Sequence, residues 1–201
     1  MYIVGNRKLG KFYTVDSTSD KALMMKVKNG DLDKLGLLFE RYNRPLFSFF
    51  YLMCKEAELC EDLVQSVFER ILKYRETYTG DGKFTTWMFS IARNAHIDHY
   101  RKQQREGIPV EIDEERLELD DEETKVVVNK QEKKDLLEMA LERLDEDKRE
   151  IVILSRYEGL KYKEIADILD STEGAIKVKM FRAMKELKDL VNMLNEECSN
   201  E

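Results

Sequence analysis

The chain has 201 residues, of which 42% are hydrophobic and 37% are charged, a length and charge fraction that favour two small helical units over one large core. The net charge of −7 would count against nucleic-acid binding if charge were spread evenly, and it is not. Three scattered cysteines without a CxxC pair exclude a disulfide framework and a thiolate zinc site, and no apolar run could span a membrane. We therefore expect a cytoplasmic protein without membrane insertion.

The N-terminal residues predict a short extension followed by helices. Residues 1–19 have little periodicity and are expected to form a flexible extension. Asp20 is expected to cap a helix that stops at Gly30. A second helix should run through Leu35 and Tyr42, and Pro45 should start or kink a third.

Two further helices differ in character. The first, from Asp62 to Tyr74, is amphipathic, with Tyr74 on its inward face and polar residues outward. A turn-rich loop at 79–83 leads to the second, from Phe84 to Gln104, in which aromatic residues alternate with cations and amides. Such a surface suits unstacked bases, although an aromatic residue such as Trp87 also commonly anchors a core, and the two roles are compatible.

Acidic residues dominate the stretch 106–130, which predicts a flexible linker because like charges repel and little apolar surface is available to bury. The linker divides the chain into domains at 20–105 and 131–195, with a tail at 196–201. Two interpretations of the linker stay open: a solvated tether, and a nucleic-acid mimic that occupies a basic channel.

The second domain is predicted to end in a helix-turn-helix. Asp145 is expected to cap a helix that keeps Tyr157 inward and ends at Gly159. From Tyr162 to Leu187 a short amphipathic helix, a three-residue break and a longer cationic helix follow, and Thr172 is placed to cap the last. No period-two pattern of useful length occurs, so we predict an all-α protein with two small helical domains.

The outward face of the last helix carries cations around Val178 and Phe181. A DNA groove has phosphates on both walls and base edges on its floor, so a helix that enters it needs this arrangement. A solvated charged face is the alternative for an isolated basic helix. The preceding cap, turn and short helix favour DNA binding over a solvated face.

Two other classes of function, a DNA-binding regulator and an enzyme, explain the sequence less well. An operator-binding regulator, with an N-terminal domain that senses a ligand or dimerises, explains the helix-turn-helix but not the aromatic and basic helix before the linker. A metal site at His96, Asp98 and His99 is disfavoured because the side chains point in different directions and no fourth ligand follows. Motifs for phosphate-binding loops, nucleophile elbows and HExxH sites are absent, so no catalytic residue, metal or cofactor is predicted.

Four segments match motifs of a known family: Asp62 to Gln65 with Phe68, Trp87 to Asn94 continuing to Arg101, Gly159 to Ala166, and Glu173 to Ala183. With their order and the acidic linker, the chain from about Asp20 to Leu194 resembles bacterial RNA polymerase sigma factors of the extracytoplasmic-function (ECF) group, in the sigma-70 family. The resemblance implies sigma region 2 and sigma region 4 domains in a dissociable initiation subunit without catalysis of its own. The implied partners are core RNA polymerase, through the clamp of its largest subunit, promoter DNA, and an anti-sigma factor.

The resemblance also implies roles for individual residues. The polymerase-binding residues would be Asp62, Gln65, Phe68 and Glu69. The residues that melt and read the −10 element would be Lys83, Trp87, Arg93, Asn94, Tyr100, Arg101 and Lys102, with an extruded base held by the loop from Gly80 to Thr86. The −35 readers would be Thr172, Lys177, Val178, Lys179, Phe181, Arg182 and Lys185.

Three departures from the family pattern are expected to affect polymerase docking, helix capping and base recognition. Ser66 stands where many members have an acid, which should weaken polymerase docking. Lys161 replaces the usual Ser or Thr cap of the first helix of the motif, at a cost of about 1 kcal/mol. Lys177 and Lys179 replace frequent arginines, so guanine recognition should shift towards Arg182.

Overall fold

The computed structural model describes residues 19–106, here the N-terminal half, and 128–199, the C-terminal half. All regular structure in these ranges is helical, which confirms the all-α class. The N-terminal half contains α1 (Asp20–Lys28), α2 (Lys34–Cys54), α3 (Ala57–Lys73), a 3-10 turn (Arg75–Thr77) and α4 (Phe84–Glu106). The C-terminal half contains α5 (Val128–Glu142), α6 (Glu146–Val152), a π-helical segment (Ile153–Tyr157), α7 (Tyr162–Ile168) and α8 (Glu173–Ser199). The expected N-terminal extension and all but the ends of the expected linker lie outside the described residues.

The cap of α1 is Ser19, not Asp20 as predicted. Ser19 has extended backbone angles, and its hydroxyl accepts a hydrogen bond from the backbone N–H of Ala22 at 3.3 Å. Asp20 is the first helical residue, and its carboxylate accepts hydrogen bonds from the Tyr42 hydroxyl and from Arg41 of α2. The carboxylate therefore links α1 to α2 by hydrogen bonds instead of capping α1.

The region predicted as two helices around Pro45 is one continuous helix, α2. Proline removes one intrahelical hydrogen bond and normally kinks or ends a helix. Here the residues that follow it, Leu46, Phe49 and Phe50, are almost fully buried in the core. We attribute the continuity of α2 to this burial, which outweighs the local preference of proline.

Helix α3 begins at Ala57, five residues before the predicted start, and Tyr74, predicted to face inward, is 43% exposed at its end. Tyr74 is the C-cap residue, so it has left the helical spiral that would place it on the core face. Helix α4 matches its predicted range to within two residues.

Tyr157, also predicted to face inward, is 43% exposed. The cause is the π-helical segment, whose wider turn shifts the register so that a 3.6-residue period no longer describes it. Gly159 ends the segment with a φ of +66°. Asp145 precedes α6 as predicted, but its carboxylate bonds the Lys148 ammonium at 2.7 Å and no backbone N–H.

The packing has two levels. Within the N-terminal half, α2 packs against α1 and α3, and α3 packs against α4; within the C-terminal half, α5, α6 and α7 all pack against α8. Between the halves, α4 packs against α7, and the end of α2 packs against α5 and α6. The aromatic and basic helix therefore lies next to the first helix of the helix-turn-helix.

Candidate functional site

The helix-turn-helix forms as predicted. The Thr172 hydroxyl accepts a hydrogen bond from the backbone N–H of Ala175 at 3.2 Å, so Thr172 caps α8. Asp170 takes the left-handed conformation at φ 48°, which short polar side chains tolerate in tight turns. Lys161 provides no side-chain cap to α7, as expected, but its backbone N–H donates to a carboxylate oxygen of Glu164 at 2.8 Å, which satisfies half of a capping box.

Helix α8 presents an apolar centre flanked by cations. Its inward residues Ile176, Met180 and Ala183 are buried. On the opposite face Val178 is 51% exposed and Phe181 is 73% exposed. The remaining predicted −35 residues are all exposed: Lys177, Lys179, Arg182 and Lys185. Neither Val178 nor Phe181 contributes much to a core, so this face has the exposed apolar contacts and charges that a base-reading helix needs.

Two of those lysines have acidic neighbours. The Lys177 ammonium lies 2.7 Å from Glu173 one turn earlier, and the Lys179 ammonium lies 3.9 Å from Asp147 of α6. All four side chains in these pairs are at least 47% exposed, so each pair contributes little to stability and can exchange its carboxylate for a phosphate.

The predicted −10 residues fall into partly buried and exposed groups. Trp87 is partly buried, and its ring centroid lies 5.1 Å from that of Tyr78 and 6.2 Å from that of Phe84, so it packs against the core and keeps part of its surface exposed. Asn94, Arg101 and Lys102 are exposed. The ring of Tyr100 is 4.8 Å from that of His96, and burial raises the Tyr100 pKa to about 12.

A small cavity opens beside Trp87. Its volume is about 240 Å³, below the usual range for drug-sized ligands and suited to a single ring system. Its walls come from the loop after the 3-10 turn and from the start of α4: Thr77, Tyr78, Thr79, Gly80, Gly82, Lys83, Thr86, Trp87 and Ser90. The loop expected to hold an extruded base thus surrounds a cavity with an aromatic wall.

A larger groove, of about 1020 Å³, runs between α2 and α3. Three of the residues predicted to bind polymerase, Gln65, Phe68 and Glu69, line it, whereas Asp62 is exposed on α3 but does not. Phe68 is 7% exposed, with its ring centroid 4.9 Å from that of Phe39. The Gln65 amide donates to Glu69 at 3.1 Å.

The α2 wall of this groove was not predicted from the sequence. It comprises Leu35, Phe39, Asn43, Arg44, Phe47 and Ser48. A signal was present, because residues 35, 39, 43 and 47 follow one another at four-residue steps and so share a face. Phe39 is 43% exposed on that face, which is unusual for an aromatic residue in the middle of a helix.

Two of the residues considered as metal ligands, His96 and Asp98, contact other side chains instead. His96 is 4% exposed and stacks on Phe50, and burial, followed by electrostatic repulsion from His99, Arg149 and Arg93, lowers its pKa to about 4. Asp98 pairs with Arg70 at 2.8 Å. In the part of the chain that the structure describes, no three His, Cys, Asp or Glu side chains are grouped to hold a metal ion.

Two predicted DNA-binding cations contact the C-terminal half. The Lys83 ammonium lies 2.7 Å from the Glu164 carboxylate of α7. Arg93 Nε lies 3.2 Å from a carboxylate oxygen of Glu150 in α6.

In residues 19–106 and 128–199, no helix is long and apolar enough to cross a bilayer.

Comparison with known proteins covers both halves. The Sigma-70 region 2 family matches residues 38–106, and the Sigma-70, region 4 family matches residues 134–187. The chain is 30% identical to the ECF RNA polymerase sigma factor SigX of Bacillus subtilis (strain 168) over 170 residues, 82% of this chain and 87% of that one.

Two solved structures are similar in fold. One is CnrH in complex with the cytosolic domain of CnrY, with a TM-score of 0.66 at 20% identity, covering 88% of this chain and 99% of that one. The other is the sigma factor RpoE in complex with the anti-sigma factor NepR from Bartonella quintana, with a TM-score of 0.62 at 22% identity, covering 77% and 94%.

Proposed function

The chain belongs to the ECF group of the sigma-70 family, and from that membership we propose which of its surfaces direct RNA polymerase to promoters. The region 2 match occupies the half that an operator-binding regulator would use for sensing or dimerisation, so that alternative is set aside. The family consists of transcription initiation factors, and we assign this chain no catalytic residue, metal or cofactor. We place it in the cytoplasm, with polymerase.

The groove between α2 and α3 is the proposed docking surface for the clamp of the largest polymerase subunit. Its apolar floor includes Phe39 and Phe68, and polar residues such as Gln65 and Glu69 stand at its edge. An apolar centre with a polar rim is the usual anatomy of a protein interface. Asp62 would add a polar contact beside the groove.

The start of α4 and its preceding loop form the proposed −10 surface. The cavity beside Trp87 would take one base extruded from the duplex, since unpairing costs a few kcal/mol that a pocket must offset. Asn94 and Tyr100 would contact the separated strand, and Lys83, Arg93, Arg101 and Lys102 would neutralise its phosphates.

Helix α8 is the proposed −35 reader, and the exposure of Phe181 carries this assignment. An aromatic side chain that is 73% exposed on a cationic helix contributes little to the fold, so it is available for base contacts. Val178 and Arg182 would read bases beside it, Lys177 would add a further contact, Lys179 and Lys185 would meet the backbone, and Thr172 would hold the helix start.

Reconstitution with core polymerase on a promoter library tests these assignments. We expect promoter-specific transcripts only when both chain and core enzyme are present. Asn94→Ala should impair strand opening, measured by permanganate reactivity of unpaired thymines, and Arg182→Ala should impair selection at the −35 position by about tenfold, the loss expected for one bidentate base contact.

Matched variants serve as controls. Asn192→Ala removes an exposed amide from the far part of α8, and Arg143→Ala removes an arginine that pairs with Glu197 at 3.6 Å. Both should transcribe like the parent. Tight duplex binding without polymerase, together with no effect of the chain on transcription, would reject the proposed function.

We also propose an anti-sigma factor as a partner. The support is the solved structure of the sigma factor RpoE with the anti-sigma factor NepR, together with the apolar groove between α2 and α3 of this chain. Such an inhibitor should compete with core polymerase for the groove. A co-expressed candidate inhibitor that binds the parent equally well in the presence of excess core enzyme would contradict this assignment.

A further inference from the structure

Helix α1 supports the loop that surrounds the cavity beside Trp87. The Lys28 ammonium of α1 donates a hydrogen bond to the carbonyl oxygen of Tyr78 at 2.8 Å. Tyr78 is buried and lines the cavity, and its ring centroid lies 5.1 Å from that of Trp87. Because Lys28 satisfies a carbonyl of the loop, α1 helps to fix the position of the aromatic wall.

Gly80, in the same loop, lies against Lys21 of α1. Its φ is +78°, in the left-handed region that favours glycine. A Cβ at this position would lie 3.1 Å from Cε and 3.7 Å from Nζ of Lys21, and 3.6 Å from Sδ of Met25. A larger residue would therefore push the flexible end of Lys21 away. Since Gly80 also lines the cavity, the Lys21 ammonium lies beside the cavity wall.

The Lys21 ammonium has no acidic partner in the parts of the chain that the structure describes, although Lys21 is exposed. Lys83, which also lines the cavity, instead lies 2.7 Å from a carboxylate oxygen of Glu164. Lys21 can therefore bind an external anion without first giving up an ion pair.

We propose that Lys21 binds the phosphate of the nucleotide whose base enters the cavity beside Trp87. This inference rests on the proposed −10 role of the cavity, and it adds α1 to a surface that otherwise comprises the loop and α4. The phosphate of a nucleotide is one sugar away from its base, so a base inside the cavity leaves its phosphate near the wall where the ammonium lies. The Sigma-70 region 2 match begins at residue 38, so it assigns α1 no role.

The test uses holoenzyme assembled from the full-length chain and core polymerase. The probe is a fluorescent promoter fragment, taken from the promoter that the parent uses best in a library, with its −10 non-template strand unpaired. Lys21→Met removes the ammonium and keeps the long side chain that lies against Gly80. We expect affinity to fall about threefold to tenfold, and the slope of log affinity against log salt to weaken by about one, as for one lost phosphate contact.

Two further variants separate charge from structure. Lys26→Met is the matched control, because Lys26 is exposed on the same helix but lies about 140° around its axis from Lys21. Lys21→Arg keeps the positive charge. Both should bind the fragment like the parent, and all three variants should melt at the parent's temperature. An equal loss in Lys21→Met and Lys26→Met, or no loss in Lys21→Met, overturns the proposal.

A scan with methylphosphonate linkages identifies the phosphate. Each fragment carries one neutral linkage in its unpaired strand, and 2-aminopurine fluorescence reports which base is extruded. A neutral linkage beside that base should weaken binding of the parent and have no further effect on Lys21→Met, because contacting groups are not additive. Losses that add in full at every linkage would show that Lys21 does not bind this phosphate.

Transcription by the parent separates this inference from the proposed function. If the parent opens no promoter with core enzyme, measured by permanganate reactivity, the proposed function fails and the role of Lys21 fails with it. If the parent opens promoters and Lys21→Met binds and opens them equally well, only the role of Lys21 is rejected.

Discussion

His96 shows how one buried residue can make stability depend on pH. Its Nδ1 lies 3.6 Å from a Glu146 carboxylate, a contact that would favour the charged imidazolium. Glu146 is 67% exposed, however, and burial together with the positive charges of Arg149 and Arg93 favours the neutral ring. Burial therefore decides the protonation state, and the pKa of His96 falls from 6.5 to about 4.

Stability should fall as the pH drops from 6.5 towards 4. In this window the unfolded chain binds a proton at His96 that the folded chain does not, so stability is complete above pH 6.5 and declines below it. The total loss from this residue is roughly 3 kcal/mol. Urea unfolding at several pH values measures it, and His96→Leu, which cannot titrate, should flatten the curve. An unchanged pH dependence in His96→Leu would contradict the assignment.

The thiols of Cys54 and Cys60 are closer than their place in the sequence indicated. Their sulfur atoms lie 3.5 Å apart, at the joint between α2 and α3. The hydrogen bond between the two sulfur atoms lowers the pKa of the Cys54 thiol, whereas the same bond and burial raise the pKa of the Cys60 thiol. Because a thiolate attacks oxidants, Cys54 is the thiol expected to react first.

Mild oxidation with diamide should therefore join Cys54 to Cys60 within one chain. Diamide accepts the two electrons and two protons that the thiols release as the sulfur–sulfur bond forms. Peptide mapping by mass spectrometry under non-reducing conditions identifies the bond, and Cys60→Ser should leave Cys54 without an intramolecular partner. Recovery of only mixed or intermolecular products from the parent would count against it.

At the scale of elements, backbone conformation limits substitution where the helix-turn-helix begins. Gly159 joins the π-helical segment to α7 at a φ of +66°, a conformation that side chains rarely adopt, although there is open space where a Cβ would lie. Its role is therefore conformational and does not depend on tight packing.

Gly159→Ala should cost about 1 to 2 kcal/mol of unfolding free energy, the penalty for a left-handed alanine. Gly174→Ala is the matched control, since Gly174 lies in the first turn of α8 with open space around it and without a positive φ. That change should be neutral or stabilising by up to about 1 kcal/mol. Denaturant titration of both variants decides, and equal stabilities would refute the conformational role.

The groove between α2 and α3 invites a separate test of its proposed use. Phe39→Glu should abolish capture by immobilised core polymerase with little effect on melting temperature, because Phe39 is 43% exposed. Leu32→Glu changes a residue that is 47% exposed and lies outside the groove, and it should be captured normally. Equal capture of both variants would remove the groove from the polymerase interface.

At the scale of the whole molecule, the helices could be predicted from the sequence, but most contacts between them could not. Helical periodicity is local, so the all-α class, the cap at Thr172 and the cationic face of α8 could be predicted from neighbouring residues. Pro45 and Tyr157 were misjudged because burial and a π-helical turn override local rules. The pairing of Arg93 with Glu150 could not be predicted, since 57 residues separate them and no local pattern reports such contacts.

The packing of the two halves on each other should respond to salt. Several contacts between the halves are ion pairs, and Lys83 is 57% exposed in its pair, so screening weakens them. The radius of gyration of the parent should therefore rise between about 0.05 M and about 0.5 M NaCl. Lys55 also pairs across the halves, with Glu138 and Glu142 of α5 at 3.0 Å each. A chain with Lys55→Met, Glu150→Gln and Glu164→Gln lacks these pairs and weakens those of Arg93 and Lys83, so it should show a smaller change. A parent indifferent to salt would mean that apolar contacts hold the halves together.

The pairs of Lys83 with Glu164 and of Arg93 with Glu150 separate two properties that evolution can adjust independently. Substitution of the cations would change the proposed promoter surface itself, whereas substitution of the acids would leave every proposed DNA contact in place and change only how strongly the two halves hold together. We therefore expect mutation at positions 150 and 164 to change how tightly the halves pack while the choice of promoter stays the same.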